Sequence, residues 1–82
     1  MYTVYIIYSE SLDKFYIGYT EDVAHRLGQH NSGISEFTSR ATDWVLRYSE
    51  RYDTRELAMK REKEIKNKKS RKYIEWLISS AG

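Results

Sequence analysis

The chain has no cysteine, no proline and only four glycines. Without cysteine there is no disulfide scaffold, thiolate zinc site, iron–sulfur cluster or thiol nucleophile. Without proline, no helix or strand need be interrupted on that account. The opening stretch MYTVYIIYSESLD lacks a basic start and a long apolar run, and no window approaches the roughly 18 apolar residues of a membrane-spanning helix. These absences lead us to expect a soluble, intracellular, cytoplasmic protein.

What is present must fold around one small core. Eighty-two residues are about half of a usual ~150-residue domain, so residues 1–82 are expected to form a single domain. A chain this short removes only roughly 60–65% of its unfolded surface from water. Two Trp, two Phe and eight Tyr make an efficient core feasible, because each such ring buries ~150–250 Å².

Charge is unevenly placed. Residues 1–50 hold four Lys/Arg against seven Asp/Glu, residues 51–72 hold ten against four, and the last ten residues add Glu75 alone, so −3, +6 and −1 give the net +2. A basic block attracts phosphates; a solvated helix face is the plainer reading of the same run.

The β-branched and aromatic runs TVYIIYS (residues 3–9) and FYIGYT (15–20) read as a hairpin with a loop of about six residues. Thr20, followed by Glu21 and Asp22, reads as an N-cap opening a helix that runs to about Asn31. Residues 32–43 read as a loop. WVLRYSERY (44–52) alternates as a third strand, with Trp44, Leu46, Tyr48 and Tyr52 on one face. Thr54 opens a second helix that runs to Lys69, and residues 71–79 form a C-terminal helix. The expected fold is α/β in the broad sense, α+β in arrangement, with the order β-β-α-β-α-α.

Two tyrosine-bearing strands, an arginine on the next helix and a glutamate on a later helix form a specific constellation. TVY (Thr3, Val4, Tyr5) and YIG (Tyr16, Ile17, Gly18), with ten residues between the tyrosines, are followed by RLGQHN from Arg26 and by LAMKREKEIK from Leu57 to Lys66. In these segments the chain resembles the GIY-YIG nuclease superfamily, and most of all its small stand-alone bacterial members with a KSRKYIE-type C-terminal helix. The resemblance spans Tyr2 to about Ile78. It implies a three-stranded antiparallel sheet packed with helices, and a metal-dependent endonuclease acting on phosphodiester bonds of nucleic acid, DNA in the first instance. Thr3 stands where the family name has Gly, and Tyr19 where some relatives have a lysine.

The resemblance singles out Tyr5, Tyr16, Arg26, His30 and Glu62. Glu62 would hold Mg²⁺ or Mn²⁺, hard cations that take one or two carboxylates and complete their shell with water and phosphate. At about 100° per residue, Glu62 stands roughly 60° from Ile65 on the buried stripe of Ala58 and Ile65, whereas Glu56 and Glu64 lie well off it. Its plainer role is an i,i+4 partner of Lys66. Arg26 and His30 share a helix face with Asp22; a guanidinium offers phosphate a planar fork of donors, and His30 would relay a proton or hold water. His25 and His30, five apart, point away from each other and make no metal pair. Tyr5 and Tyr16 share a sheet face if paired residue numbers sum to an odd value, as in Tyr8 with Phe15. Gly18 allows a close approach or marks a bulge. Lys60, Lys63, Lys66, Lys68, Lys69, Arg71 and Lys72 are candidates for contacting the nucleic-acid backbone, contacts that position without reading sequence. A nucleic-acid binding module, or a protein-interaction domain using the basic C-terminal helix, are the other readings.

Overall fold

The computed structural model describes residues 1–33 and 38–80. The elements are β1 (Tyr2–Ser9), β2 (Lys14–Thr20), α1 (Val23–Asn31), β3 (Trp44–Tyr52), α2 (Arg55–Lys68) and α3 (Arg71–Ser80). Their order and the α+β class are those expected from the sequence. The strands form one antiparallel sheet in the order β2-β1-β3. The most apolar strand is therefore central, and it must be covered on both faces. Val4 and Ile6 pack with Ile17, Ala58, Ile65 and Leu77 on the face carrying α2 and α3. Tyr5 and Ile7 pack with Ala41, Trp44 and Leu27 on the face carrying α1. Among the described residues no helix is long and apolar enough to cross a membrane.

The hairpin register pairs Tyr8 with Phe15, Ile7 with Tyr16 and Tyr5 with Gly18. The paired numbers sum to an odd value, so Tyr5 and Tyr16 share the α1 face. The loop is shorter than expected, Glu10 to Asp13, because polar Ser9 and Lys14 also join the ladder. Two carboxylates hold it. Asp43 accepts from the Ser9 hydroxyl at 2.6 Å and the Ser11 amide at 2.9 Å. Asp13, in the left-handed region at φ 52°, accepts from the Tyr8 hydroxyl at 2.5 Å and Arg71 Nη2 at 2.6 Å. The Arg71 bond, then that of Tyr8, holds the Asp13 carboxyl down at about 2.

Two local expectations need correction. α1 is capped by Asp22, whose carboxylate accepts from the His25 amide at 3.0 Å; the Thr20 hydroxyl instead accepts from the Asp22 amide. A carboxylate at the cap also meets the positive end of the helix dipole. Second, β3 does not keep one face. The register slips between Ile6 and Ile7, which pair with Tyr48 and Leu46, so Arg47 is the extra residue of a bulge. Trp44 and Leu46 therefore follow Ser9 and Ile7 to the α1 face, while Tyr48 and Tyr52 follow Ile6 and Tyr2 to the other. The loop expected over 32–43 is irregular at residues 32–33 and 38–43, and residues 34–37 lie outside the described residues.

α2 follows its sequence closely. The Thr54 hydroxyl caps it by accepting from the Leu57 amide at 3.3 Å. Ala58 and Ile65 are 0% and 1% exposed, while Leu57 is 49% exposed. One polar clamp sets its rotation: Arg61 donates to Glu50 of β3 at 2.9 and 3.1 Å, and Glu50 also accepts from Tyr48 and Tyr52. Burial opposes ionisation of Glu50, but the bonds from Arg61, Tyr48 and Tyr52 outweigh it and keep the carboxyl below its usual range. With Arg61 fixed on β3, Glu62 is turned by one residue step toward the sheet's other side.

Candidate active site

The site begins with a buried polar line across the α1 face. Tyr5 is 2% exposed, His30 and Thr38 0%. Tyr5 Oη lies 2.8 Å from His30 Nε2, and Thr38 Oγ1 2.6 Å from His30 Nδ1. Burial, with the Arg26 charge adding to it, lowers the His30 pKa to about 4, so the ring is neutral at pH 7. A neutral imidazole has one N–H and one lone pair, so it donates to one of these hydroxyls and accepts from the other. Burial pushes the Tyr5 phenol up to about 12, although the neighbouring Arg26 guanidinium pulls the other way. Tyr5 is thus a protonated, fixed hydroxyl.

Gly18 explains how that hydroxyl reaches its place. A Cβ at position 18 would lie 2.6 Å from Tyr5 Oη and 2.8 Å from Cζ. The ring lies directly over its cross-strand glycine, a rigid group with no way to yield. Gly18→Ala should therefore destabilise the protein by about 1–3 kcal/mol and detach Tyr5 from His30. Gly28, on exposed α1, has nothing within 4 Å of its would-be Cβ, so Gly28→Ala should stabilise by about 0.5–1 kcal/mol. Urea denaturation of both variants reads the two signs; equal shifts would show that the Tyr5 ring gives way.

The other three candidates converge on this line. Tyr16 stands in the mouth, its ring centroid 4.9 Å from that of His30 and 6.5 Å from that of Tyr5. Arg26 is half-buried and donates to Gln29 Oε1 at 2.9 Å, while Asp22, on the same helix face, is occupied with capping. Glu62 is 17% exposed and within electrostatic reach of Tyr5, raising its pKa, as does Tyr16. Lys66 Nζ lies 3.4 Å from Glu62 Oε1 and 5.8 Å from the Tyr16 ring centroid. Side chains from β1, β2, α1 and α2 thus meet at the edge of β2. Position 19 is Tyr in this chain, and the ammonium beside the Tyr16 ring is that of Lys66 on α2.

A hard divalent cation fits this donor set as a water- and phosphate-completed ion. Among the described residues no three acidic, His or Cys groups gather into a protein cage, and Glu62 is the one acidic side chain among the converging residues. Among the described residues its one ion-pair partner is exposed Lys66, which can swing away.

The basic candidates divide among surfaces. Lys66, Lys69 and Arg71 border a groove between β2, α2 and α3; Lys60 lies on the Glu50 and Arg61 side. Lys68 covers the Tyr73 ring at 5.3 Å, Arg71 is committed to Asp13 at 2.6 Å, and Lys63 and Lys72 are exposed. Thr38, Gln29 and Lys66's place beside Tyr16 were not foreseen. Thr38 lies in an irregular segment, where no periodicity signals what a residue faces.

The comparisons bear on the whole arrangement. The GIY-YIG catalytic domain profile matches residues 1–74. A UPF0213 protein of Halobacterium salinarum is 41% identical over 68 residues, covering 80% of this chain and 86% of that protein. One from Haloquadratum walsbyi is 40% identical over 65 residues, covering 78% and 72%. One from Streptococcus pyogenes is 38% identical over 69 residues, covering 82% and 75%. No solved structure gives a significant match.

Proposed function

The chain belongs to the GIY-YIG family, a nuclease superfamily, and on that premise we propose that it is a metal-dependent endonuclease hydrolysing phosphodiester bonds in nucleic acid, DNA in the first instance. The observation that carries this reading is the convergence of Tyr5, Tyr16, Arg26, His30 and Glu62 from four elements onto one sheet edge. Glu62 would hold one Mg²⁺ or Mn²⁺. When bound there, the cation supplies positive charge against the phosphoryl and leaving oxygens.

The chain's own residues divide the remaining work. Tyr16 orients the attacking water and, in its phenolate form, takes the proton the water gives up, ending the step as the phenol. Exposure favours Tyr16 over Tyr5, since Tyr16 is half-buried whereas Tyr5 is 2% exposed and held protonated by its burial. The Tyr5 hydroxyl positions water or phosphate instead. His30, neutral, fixes that hydroxyl and does not itself touch solvent, which narrows the proton-relay role foreseen for it to a positioning one. Arg26 presents its fork to the phosphoryl oxygens as charge grows on them. Lys66 and Lys69 attract the backbone.

Phenylalanine keeps either ring and deletes only the hydroxyl. Tyr16→Phe should lose about 10²–10⁴ in single-turnover rate while the protein keeps its fold. Tyr5→Phe should lose less rate but about 1–3 kcal/mol of stability, because it leaves a buried His30 nitrogen without its partner. The reverse pattern in rate would exchange the two roles.

A second reading, a binding module without cleavage, is favoured by the Glu62–Lys66 pair at 3.4 Å, which neutralises the carboxylate without a cation. A panel of labelled DNA and RNA structures incubated with Mg²⁺ or Mn²⁺ separates the two. Cleavage supports the enzyme; salt-dependent binding without cleavage by either ion supports the module.

A further inference from the structure

Beside the site runs a groove whose apolar floor the roles above do not use. It encloses about 340 Å³ between β2, α2 and the start of α3, near the lower end of the ~300–1,000 Å³ typical of small-ligand sites. Its lining is mostly apolar, from Phe15, Ile17, Ile65 and Ile74, and its rim is cationic, from Lys14 and Lys69. Among the described residues neither rim lysine has a carboxylate partner, whereas Arg71 at the same rim is tied to Asp13. Lys66 belongs to both places: it lines the groove and contacts Glu62 at 3.4 Å.

A recess with an apolar floor and free cations at its edge complements a group with an apolar face and flanking phosphates. A continuous duplex offers phosphates and sugars outward, with its bases stacked inside, so it would meet the rim and leave the floor empty. An unpaired nucleotide supplies both halves, the base for the floor and phosphates for the lysines. Resting on the nuclease reading, we propose that this groove takes one unpaired nucleotide of the substrate strand next to the bond being cut. The preferred substrate is then nucleic acid with a single-stranded segment abutting the cleavage point.

The test uses the full chain and three labelled substrates of common sequence: a continuous duplex, the same duplex with a single-stranded extension, and the extended strand alone. Cleavage is measured with Mn²⁺, and binding by anisotropy with the Glu62→Gln protein. The extended duplex should be bound and cut about tenfold better than the continuous one, the order of effect of accommodating one base. Lys14→Glu should bring that ratio toward one. Ile74→Ala, with its melting temperature checked, should reduce it as well. Equal handling of both duplexes by the wild-type protein, or a ratio unmoved in Lys14→Glu, overturns the groove assignment while leaving the nuclease reading standing. Preferential binding of the extended duplex, lost in Lys14→Glu, with no cleavage of any substrate, supports the groove and sinks the nuclease.

Discussion

The Glu62→Gln protein is expected to keep its fold and lose about a thousandfold or more in single-turnover cleavage with either Mg²⁺ or Mn²⁺. The amide has the shape of the carboxylate and none of its charge, and among the described residues no second acidic group stands in the cluster to take over. Stability should hardly move, because the only ion pair lost is the partly exposed one to Lys66, worth about 0.3–0.5 kcal/mol on a helix. Glu64→Gln is the matched control. Glu64 is 52% exposed and reaches Arg61 at 3.4 Å, on the side away from Tyr5, so its rate should stay within about twofold, as expected of a surface change away from the site. Equal rates in the two variants would remove Glu62 from the site.

Lowering the pH from about 6.5 to about 4 should destabilise the protein, with His30 the main cause. In the folded chain this ring is buried and its pKa is lowered to about 4, against an ordinary ~6.5 when unfolded. Between those values the unfolded chain binds a proton that the folded one does not. Unfolding is therefore favoured as pH falls, and the contribution is complete above the unfolded value. The loss should amount to about 3 kcal/mol by pH 4. Asp13, held down at about 2 by Arg71 and Tyr8, acts in the same direction but below pH 4, so the two windows separate. His30→Gln should be less stable at pH 7, since Tyr5 and Thr38 lose a well-placed partner, yet should show a flatter profile between pH 4 and 6.5. Urea midpoints across pH 4–8 for both proteins check this; an unchanged slope in the variant would assign the acid sensitivity elsewhere.

The element order and the hairpin register could be read in the sequence because both rest on periodicity. Tyr8 opposite Phe15 puts Tyr5 and Tyr16 on one face, and Ala58 with Ile65 marks the buried side of α2. What could not be read has a common physical character. The bulge at Arg47 moves Tyr48 and Tyr52 to the opposite face from Trp44, yet residues 44, 46, 48 and 52 alternate without a break, because a bulge is a backbone event that leaves the side-chain pattern intact. Asp22 displaces Thr20 as the cap of α1, a choice between adjacent competent residues that local sequence does not decide. Thr38 reaches His30 through an irregular segment, and Lys66 reaches Tyr16 across two elements far apart in sequence, a contact that local pattern does not signal. Gly18 was open between a bulge and a close approach; the Tyr5 ring over it decides for the close approach.

The most direct test of the central claim is single-turnover cleavage of a labelled nucleic acid by the wild-type chain, with Mn²⁺ added, then chelated, then restored. Activity should appear with the cation, vanish on chelation and return on restoration, and it should be absent throughout from Glu62→Gln and Arg26→Ala proteins whose melting temperatures match the wild type. Cleavage that persists after chelation, or that those two variants share with the wild type, would contradict the account.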